Sequence, residues 1–189
     1  MWLNAASVRR FFWTHFSRPA AIRPIYRLIG RHRPRRIVEL GIGLADRSRR
    51  MIEMAAAYGG AENVVYSGID LFELRTETDG PGLSLKNAHR KLVTTGAKIR
   101  LLPGDPHAAL ARSVNMLGVA DLVIIAADQD RTALQRSWYY LERLLQEKTV
   151  VMLQDQPAVG AGHCGVFRTM AHGEIRRLAT ARPQRRRAA

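Results

Sequence analysis

Five short apolar runs in this sequence each end beside a carboxylate. Glu39 lies in the run 36–40 and precedes Gly41-Ile42-Gly43, and Asp70 closes the run 64–69. Gly104-Asp105 follows 98–102, Asp128 follows 121–127, and Asp155 follows 149–153. Carboxylates accept hydrogen bonds from hydroxyls and amines and repel phosphates, so such a set suits a ligand with hydroxyl and ammonium groups. Gly41 and Gly43 suit a tight turn at the end of the first run. Two groups stand out as candidate general bases. Asp128 opens the polar cluster Asp128-Gln129-Asp130, and His163 sits in a Gly-rich stretch (Gly160, Gly162, Gly165) just past the fifth run.

The elements that position these residues follow from periodicity. Each run is nearly all apolar and rich in Val, Ile or Leu, which marks a strand buried on both faces. Helical patterns lie between the runs. They cover about 46–58 with Asp46 as the expected N-cap, 83–95, a helix from Pro106 with Asp105 as N-cap, and 132–145. Residues 76–82 are a loop. Strands alternating with helices predict a doubly wound α/β fold with a mainly parallel sheet. In such sheets ligands gather at the carboxyl ends of the strands, where the strand order reverses. The segments 166–171 and 174–179, separated by His172-Gly173, suggest a C-terminal hairpin. Three parts are expected: basic N-terminal helices over 1–34 (about 2–16 and 20–30) packed on the core, one domain over 35–181, and a basic tail over 182–189 that frays.

The first loop narrows the ligand. A dinucleotide fingerprint needs GxGxxG or GxGxxA, and Gly41-x-Gly43-x-x-Asp46 fails at its third position, which disfavours a nicotinamide-dependent oxidoreductase. Glu39-x-Gly41-x-Gly43-x-Ala45 instead resembles motif I of the class I S-adenosylmethionine-dependent methyltransferases, (D/E)xGxGxG, with Ala45 in place of the last glycine. The resemblance spans about residues 35–155. It implies a Rossmann-like methyltransferase fold and S-adenosylmethionine as cofactor. It further implies that Gly41 and Gly43 approach the cofactor, Glu39 organises its methionine moiety, Asp70 binds the ribose hydroxyls and Asp105 lies beside the adenine. Residues 121–128 resemble the fourth-strand motif. Catechol-type metal-dependent members carry an acid directly after strand four and an Asp-Asn pair after strand five. Here Ala126 and Asp155-Gln156 take those places, so no metal is expected. The (N/D/S)PP(Y/F) signature of amino-methylating nucleic-acid enzymes is missing, and Cys164 follows His163 rather than a proline. The acceptor is therefore expected to be a small molecule. The alternative is a non-catalytic cofactor- or RNA-binding protein on the same fold.

Composition bounds the rest. The chain has 189 residues, 47% hydrophobic, and a formal net charge of +14. Residues 1–38 carry +9, residues 39–155 net −1, and residues 156–189 net +6. The basic ends suit an anionic acceptor or nucleic acid, or serve only as a solvated surface; the oligomeric state stays open. One cysteine excludes a disulfide framework, and the longest apolar stretch, 122–127, is far too short to span a bilayer. Arg9, Arg10 and His15 interrupt any secretory h-region, so a cytoplasmic protein is expected, although the acid-free start also resembles a transit peptide.

Overall fold

A computed structural model describes Phe12 and residues 20–155 and 165–181. The N-terminal segment 2–16 (Phe12 excepted), His163 and the tail 182–189 lie outside the described residues. Helix α1 (Arg23–His32) leads into strand β1 (Arg36–Leu40), then α2 (Asp46–Ala56), β2 (Val65–Asp70), α3 (Leu85–Val93) and β3 (Lys98–Pro103). The second half continues with α4 (Pro106–Leu117), β4 (Leu122–Ile125), α5 (Arg131–Glu142), β5 (Val150–Gln154), β6 (Phe167–Met170) and α6 (His172–Thr180). The strands form one sheet in the order β3-β2-β1-β4-β5-β6. The first five run parallel, and β6 pairs antiparallel with β5. Strand order reverses between β1 and β4, so a crevice opens beyond the carboxyl ends of these two strands.

Alternation along the strands splits the core into two layers. Ile37, Tyr66, Leu122, Ile124 and Met152 face one side, against Ile25 and Ile29 of α1, Met51 and Ile52 of α2, and Leu92 of α3. Val38, Leu40, Ile69, Val123 and Ile125 face the other, against Leu110 and Val114 of α4, Trp138 and Leu141 of α5, and Ile175 of α6. Asp121 fastens the entry of β1 to β4, because its Oδ2 accepts from the backbone N–H of Arg35 at 2.8 Å and of Arg36 at 2.9 Å.

Two local expectations are corrected. The segment 174–179 is not the second arm of a hairpin but part of α6. Ile175 and Leu178 recur three residues apart and pack into the second layer, and a helix presents that spacing on one face. Asp46 is not the N-cap of α2. Ala45 takes that position with a left-handed φ of 60°, and Asp46 begins the helix with its carboxylate on Lys91 Nζ at 2.7 Å. Asp105 does cap α4, accepting from Ala108 N at 3.0 Å, with Pro106 in the first turn.

Leu110 is fully buried between α4 and the sheet. Leu110→Ala should destabilise the protein by about 2–5 kcal/mol, read from urea denaturation, since the cavity left adds to the lost transfer energy.

Candidate functional site

The carboxyl edge of the sheet is organised from beneath by Glu39. Its side chain, fully sealed from solvent, lies on the α2 side of β1. The Arg47 guanidinium donates to its Oε1 at 2.7 Å, Ser48 Oγ donates to Oε2 at 2.6 Å, and the Tyr66 hydroxyl donates to Oε2. Arg47 reaches on with Nη2 to the carbonyl oxygen of Gly41 at 2.7 Å, and its other side lies 5.4 Å from the Phe167 ring centroid. Burial, reinforced by the Glu39 charge, pushes the Tyr66 phenol well above its ordinary value, so it stays a donor. A buried ion pair is tolerable only with its remaining hydrogen-bonding capacity filled, and both carboxylate oxygens are filled here.

Asp70 holds the same turn from the side. Its Oδ2 accepts from the backbone N–H of Ile42 at 2.7 Å and of Gly43 at 2.9 Å, and Phe72 N donates to Oδ1 at 3.2 Å. Arg75 then lies against the carboxylate in a two-pronged contact, Nε to Oδ1 at 2.7 Å and Nη2 to Oδ2 at 2.8 Å. Nη2 also reaches Asp128 Oδ2 at 3.2 Å, and Nη1 donates to the carbonyl oxygen of Asp79 at 2.5 Å. Burial pushes the Asp70 carboxyl up, but the Arg75 hydrogen bonds and the Gly43 and Phe72 N–H groups outweigh it and hold the pKa below the usual carboxylate range.

Two cavities flank this centre. One, of about 670 Å³, opens beyond β1, β4 and β5 and is lined by the glycine turn, Arg47, Arg50, Pro81, Asp128 and Gln154. The other, beyond β2 and β3, is lined by Asp70, Arg75, Gly104, Asp105, Asp128 and Asp130, and measures only about 40 Å³. Asp128 lines both. Gly41 has a φ of 85°, and a Cβ there would stand 2.6 Å from Asp128 Oδ1 and 2.8 Å from Ala126 Cβ, so the close packing of the turn on β4 requires glycine.

The structure thus gathers Gly41, Gly43, Asp70, Asp105 and Asp128 around one crevice. Glu39 lies behind the turn and is not among the residues that line either cavity. Asp155 is drawn to Arg168 Nε at 3.3 Å. Among the described residues no three His, Cys, Asp or Glu side chains cluster as a metal site would require, and no helix is long and apolar enough to cross a membrane. Sequence reasoning missed Arg75, Arg47, Ser48 and Tyr66. For Arg75 a signal existed: it is the one cation in an acidic segment with Glu73, Glu77 and Asp79, five residues after Asp70.

No protein-family model matches the chain, and no curated protein sequence matches it. Solved structures do. The "putative caffeoyl-CoA O-methyltransferase" from Staphylococcus aureus is 16% identical with a TM-score of 0.53, covering 80% of this chain and 66% of that one. The O-methyltransferase TomG from Streptomyces achromogenes, solved with SAM, is 13% identical with a TM-score of 0.51, covering 94% of this chain and 77% of that one. The fold is that of the class I methyltransferases. The chain spans just under two thirds of the length of the first of these relatives, and 38% of the MycE methyltransferase of mycinamycin biosynthesis, which is 19% identical with a TM-score of 0.49. Within this methyltransferase fold, the crevice described above lies where the strand order reverses.

Two variants test the electrostatics. Glu39→Gln should cost about 3–5 kcal/mol in urea denaturation, because it leaves the Arg47 cation buried without its counter-charge. Asp70→Asn should lower stability at neutral pH, and its deficit against the wild type should narrow as pH falls. A carboxyl held low in the folded state contributes fully above its unfolded pKa of about 3.9 and loses that contribution as pH drops through the folded value. Unfolding curves at pH 7 and at pH 4 and below measure the narrowing.

Proposed function

We propose that the protein transfers the methyl group of S-adenosylmethionine to a small-molecule acceptor. The observation that carries this reading is the position of Asp70. Its carboxylate stands at the end of β2 and is held by the N–H groups of Ile42 and Gly43, and that same glycine turn lines a cavity of about 670 Å³. That volume falls in the range of small-molecule sites, about 300–1,000 Å³. The donor set fits the cofactor in kind: Asp70 accepts from the ribose hydroxyls, Asp105 stands on the adenine side, and Gly41 and Gly43 bring backbone close to the methionine moiety. The cofactor supplies a methyl carbon made electrophilic by its sulfonium.

What this chain contributes is alignment, exclusion of water and one proton acceptor. Methyl displacement needs an in-line approach more than a strong base, and holding two reactants in register can supply most of the acceleration. Glu39, through Arg47 and Ser48, positions the turn. Asp128, half-exposed at the boundary of both cavities, takes the proton of an acceptor hydroxyl. Arg50 on the wall of the larger cavity favours an acceptor that carries negative charge. His163 is the other proposed base. The basic ends are proposed to draw anionic acceptors to the site, and the cytoplasm as its location rests on the sequence alone.

Calorimetric titration with S-adenosylhomocysteine tests the cofactor assignment. Binding at submillimolar concentration is expected, with NADH silent. Asp70→Ala should weaken binding at least tenfold, about 1.4 kcal/mol. No binding by the folded wild type would remove the reading. Transfer of labelled methyl groups into a metabolite extract tests the chemistry. Asp128→Asn should slow it by about 10²–10⁴ while leaving S-adenosylhomocysteine affinity near wild type.

A further inference from the structure

The half of the crevice beyond β2 and β3 is closed by the protein's own side chain. The Arg75 guanidinium presents two adjacent N–H groups to the two oxygens of Asp70, at 2.7 and 2.8 Å. A vicinal diol presents the same pattern, two adjacent donors to one carboxylate. With Arg75 in place, the space beside Asp70, Gly104 and Asp105 is about 40 Å³, room for little more than water. We propose that Arg75 is an internal competitor for the diol-binding carboxylate, displaced when a nucleoside enters, and that it thereby sets the affinity of the site. This rests on the proposed cofactor assignment and goes beyond it, since that assignment alone places nothing on Asp70 but ribose.

The loop around Arg75 is built as a removable strap. Phe72 stands at a left-handed φ of 51°, a conformation side chains other than glycine adopt under constraint. A short turn, Glu77–Asp79, closes on itself, with Thr76 N and Oγ1 donating to Asp79 Oδ2 at 2.7 and 2.8 Å. One bond ties that turn to the seated side chain, Arg75 Nη1 to the carbonyl oxygen of Asp79 at 2.5 Å. The strap is anchored at its start by Phe72, whose side chain is buried in the first core layer and whose N–H donates to Asp70 Oδ1 at 3.2 Å. Beyond that, it meets the site through Arg75 to Asp70 and Asp128 and through Leu83 N to the carbonyl oxygen of Gly43 at 3.2 Å. Gly82 makes room for the seated side chain, because a Cβ there would come within 2.4 Å of Arg75 Cδ and 2.5 Å of its Nε. When the guanidinium leaves, Asp70 keeps its three backbone donors and remains oriented for a diol. The Asp128 oxygen is freed at the same moment, so occupancy of the nucleoside half uncovers the proposed proton acceptor of the other half.

The test is calorimetry on the full chain with S-adenosylhomocysteine and with adenosine, comparing wild type, Arg75→Met and Gly82→Ala. Thermal melting checks that each variant is folded. Arg75→Met keeps an apolar stem and removes the charged fork, and Gly82→Ala crowds the fork while leaving it present. Both should bind at least tenfold more tightly than wild type. In the wild type, hydrogen exchange at the amides of residues 73–82 should rise on saturation with S-adenosylhomocysteine. Binding by all three proteins with equal affinity overturns the strap and leaves the cofactor assignment standing. Weaker binding by folded Arg75→Met also overturns it, since Arg75 would then contact the ligand. Absence of binding in all three folded proteins overturns both.

Discussion

A negative charge sealed inside the protein sets the terms for everything around it. Glu39 sits on the inner face of the central strand, where an unpaired carboxylate would cost several kcal/mol. Arg47 must therefore stay against it, and Arg47 belongs to the first turn of α2. That requirement sets the start of α2 close to β1 and forces the connection between them into a tight path, with left-handed conformations at Gly41, Gly43 and Ala45. Arg47 also grips the Gly41 carbonyl, so the ion pair and the turn are one unit. Tyr66 brings β2 into the same network, which brings Asp70, four residues further along that strand, alongside the turn. The geometry of the crevice is thus a consequence of solving a burial problem one layer below it.

This coupling explains which features were legible in the sequence. The strands and their carboxyl ends were legible, since a short, near-continuous apolar run set between helical patterns fits a strand covered on both faces. Asp105 as a cap was legible because Pro106 follows it. The role of Glu39 was not. A motif places an acid at that position, but only tertiary structure shows whether its oxygens face a ligand or are consumed by neighbours, and here Arg47, Ser48 and Tyr66 consume them. The C-terminal helix departs from the expected hairpin arm because six residues bounded by His172-Gly173 and Thr180 carry too little periodicity to separate strand from helix. Packing of Ile175 and Leu178 against the second layer decides it. Arg75 escaped notice because a loop has no period at all, and its partners lie five and fifty-three residues away.

Arg75 also changes how the crevice divides. Two carboxylates at the ends of β2 and β4 face each other across the end of β1, and like charges there repel. One guanidinium between them relieves that repulsion and raises its own affinity for protons, chiefly through its hydrogen bonds to Asp70. The open cavity on the β4–β5 side and the closed one on the β2–β3 side are therefore held unequal by one side chain. Charge balance at the switch point and access to the β2–β3 side of the crevice are the same physical variable.

Carboxylates at strand ends are weaker indicators of a ligand than their number suggests. In a parallel sheet with crossover helices, every strand's carboxyl end leads to a helix N-terminus, and the helix dipole favours an acid there whether or not a ligand binds. Asp105 accepts from Ala108 N, and Asp130 accepts from Ala133 N at 2.7 Å, both as helix caps. Asp46 opens α2 and pairs with Lys91, Asp155 pairs with Arg168, and Glu39 is sealed by its own partners. Subtracting the acids that fold stability already explains leaves Asp70 and Asp128. These two are the ones whose oxygens converge on a single cation from a loop rather than on a helix terminus. That pair is what the packing of the fold leaves unaccounted for, whereas the other acids at the strand ends also hold the frame that keeps the pair facing one crevice.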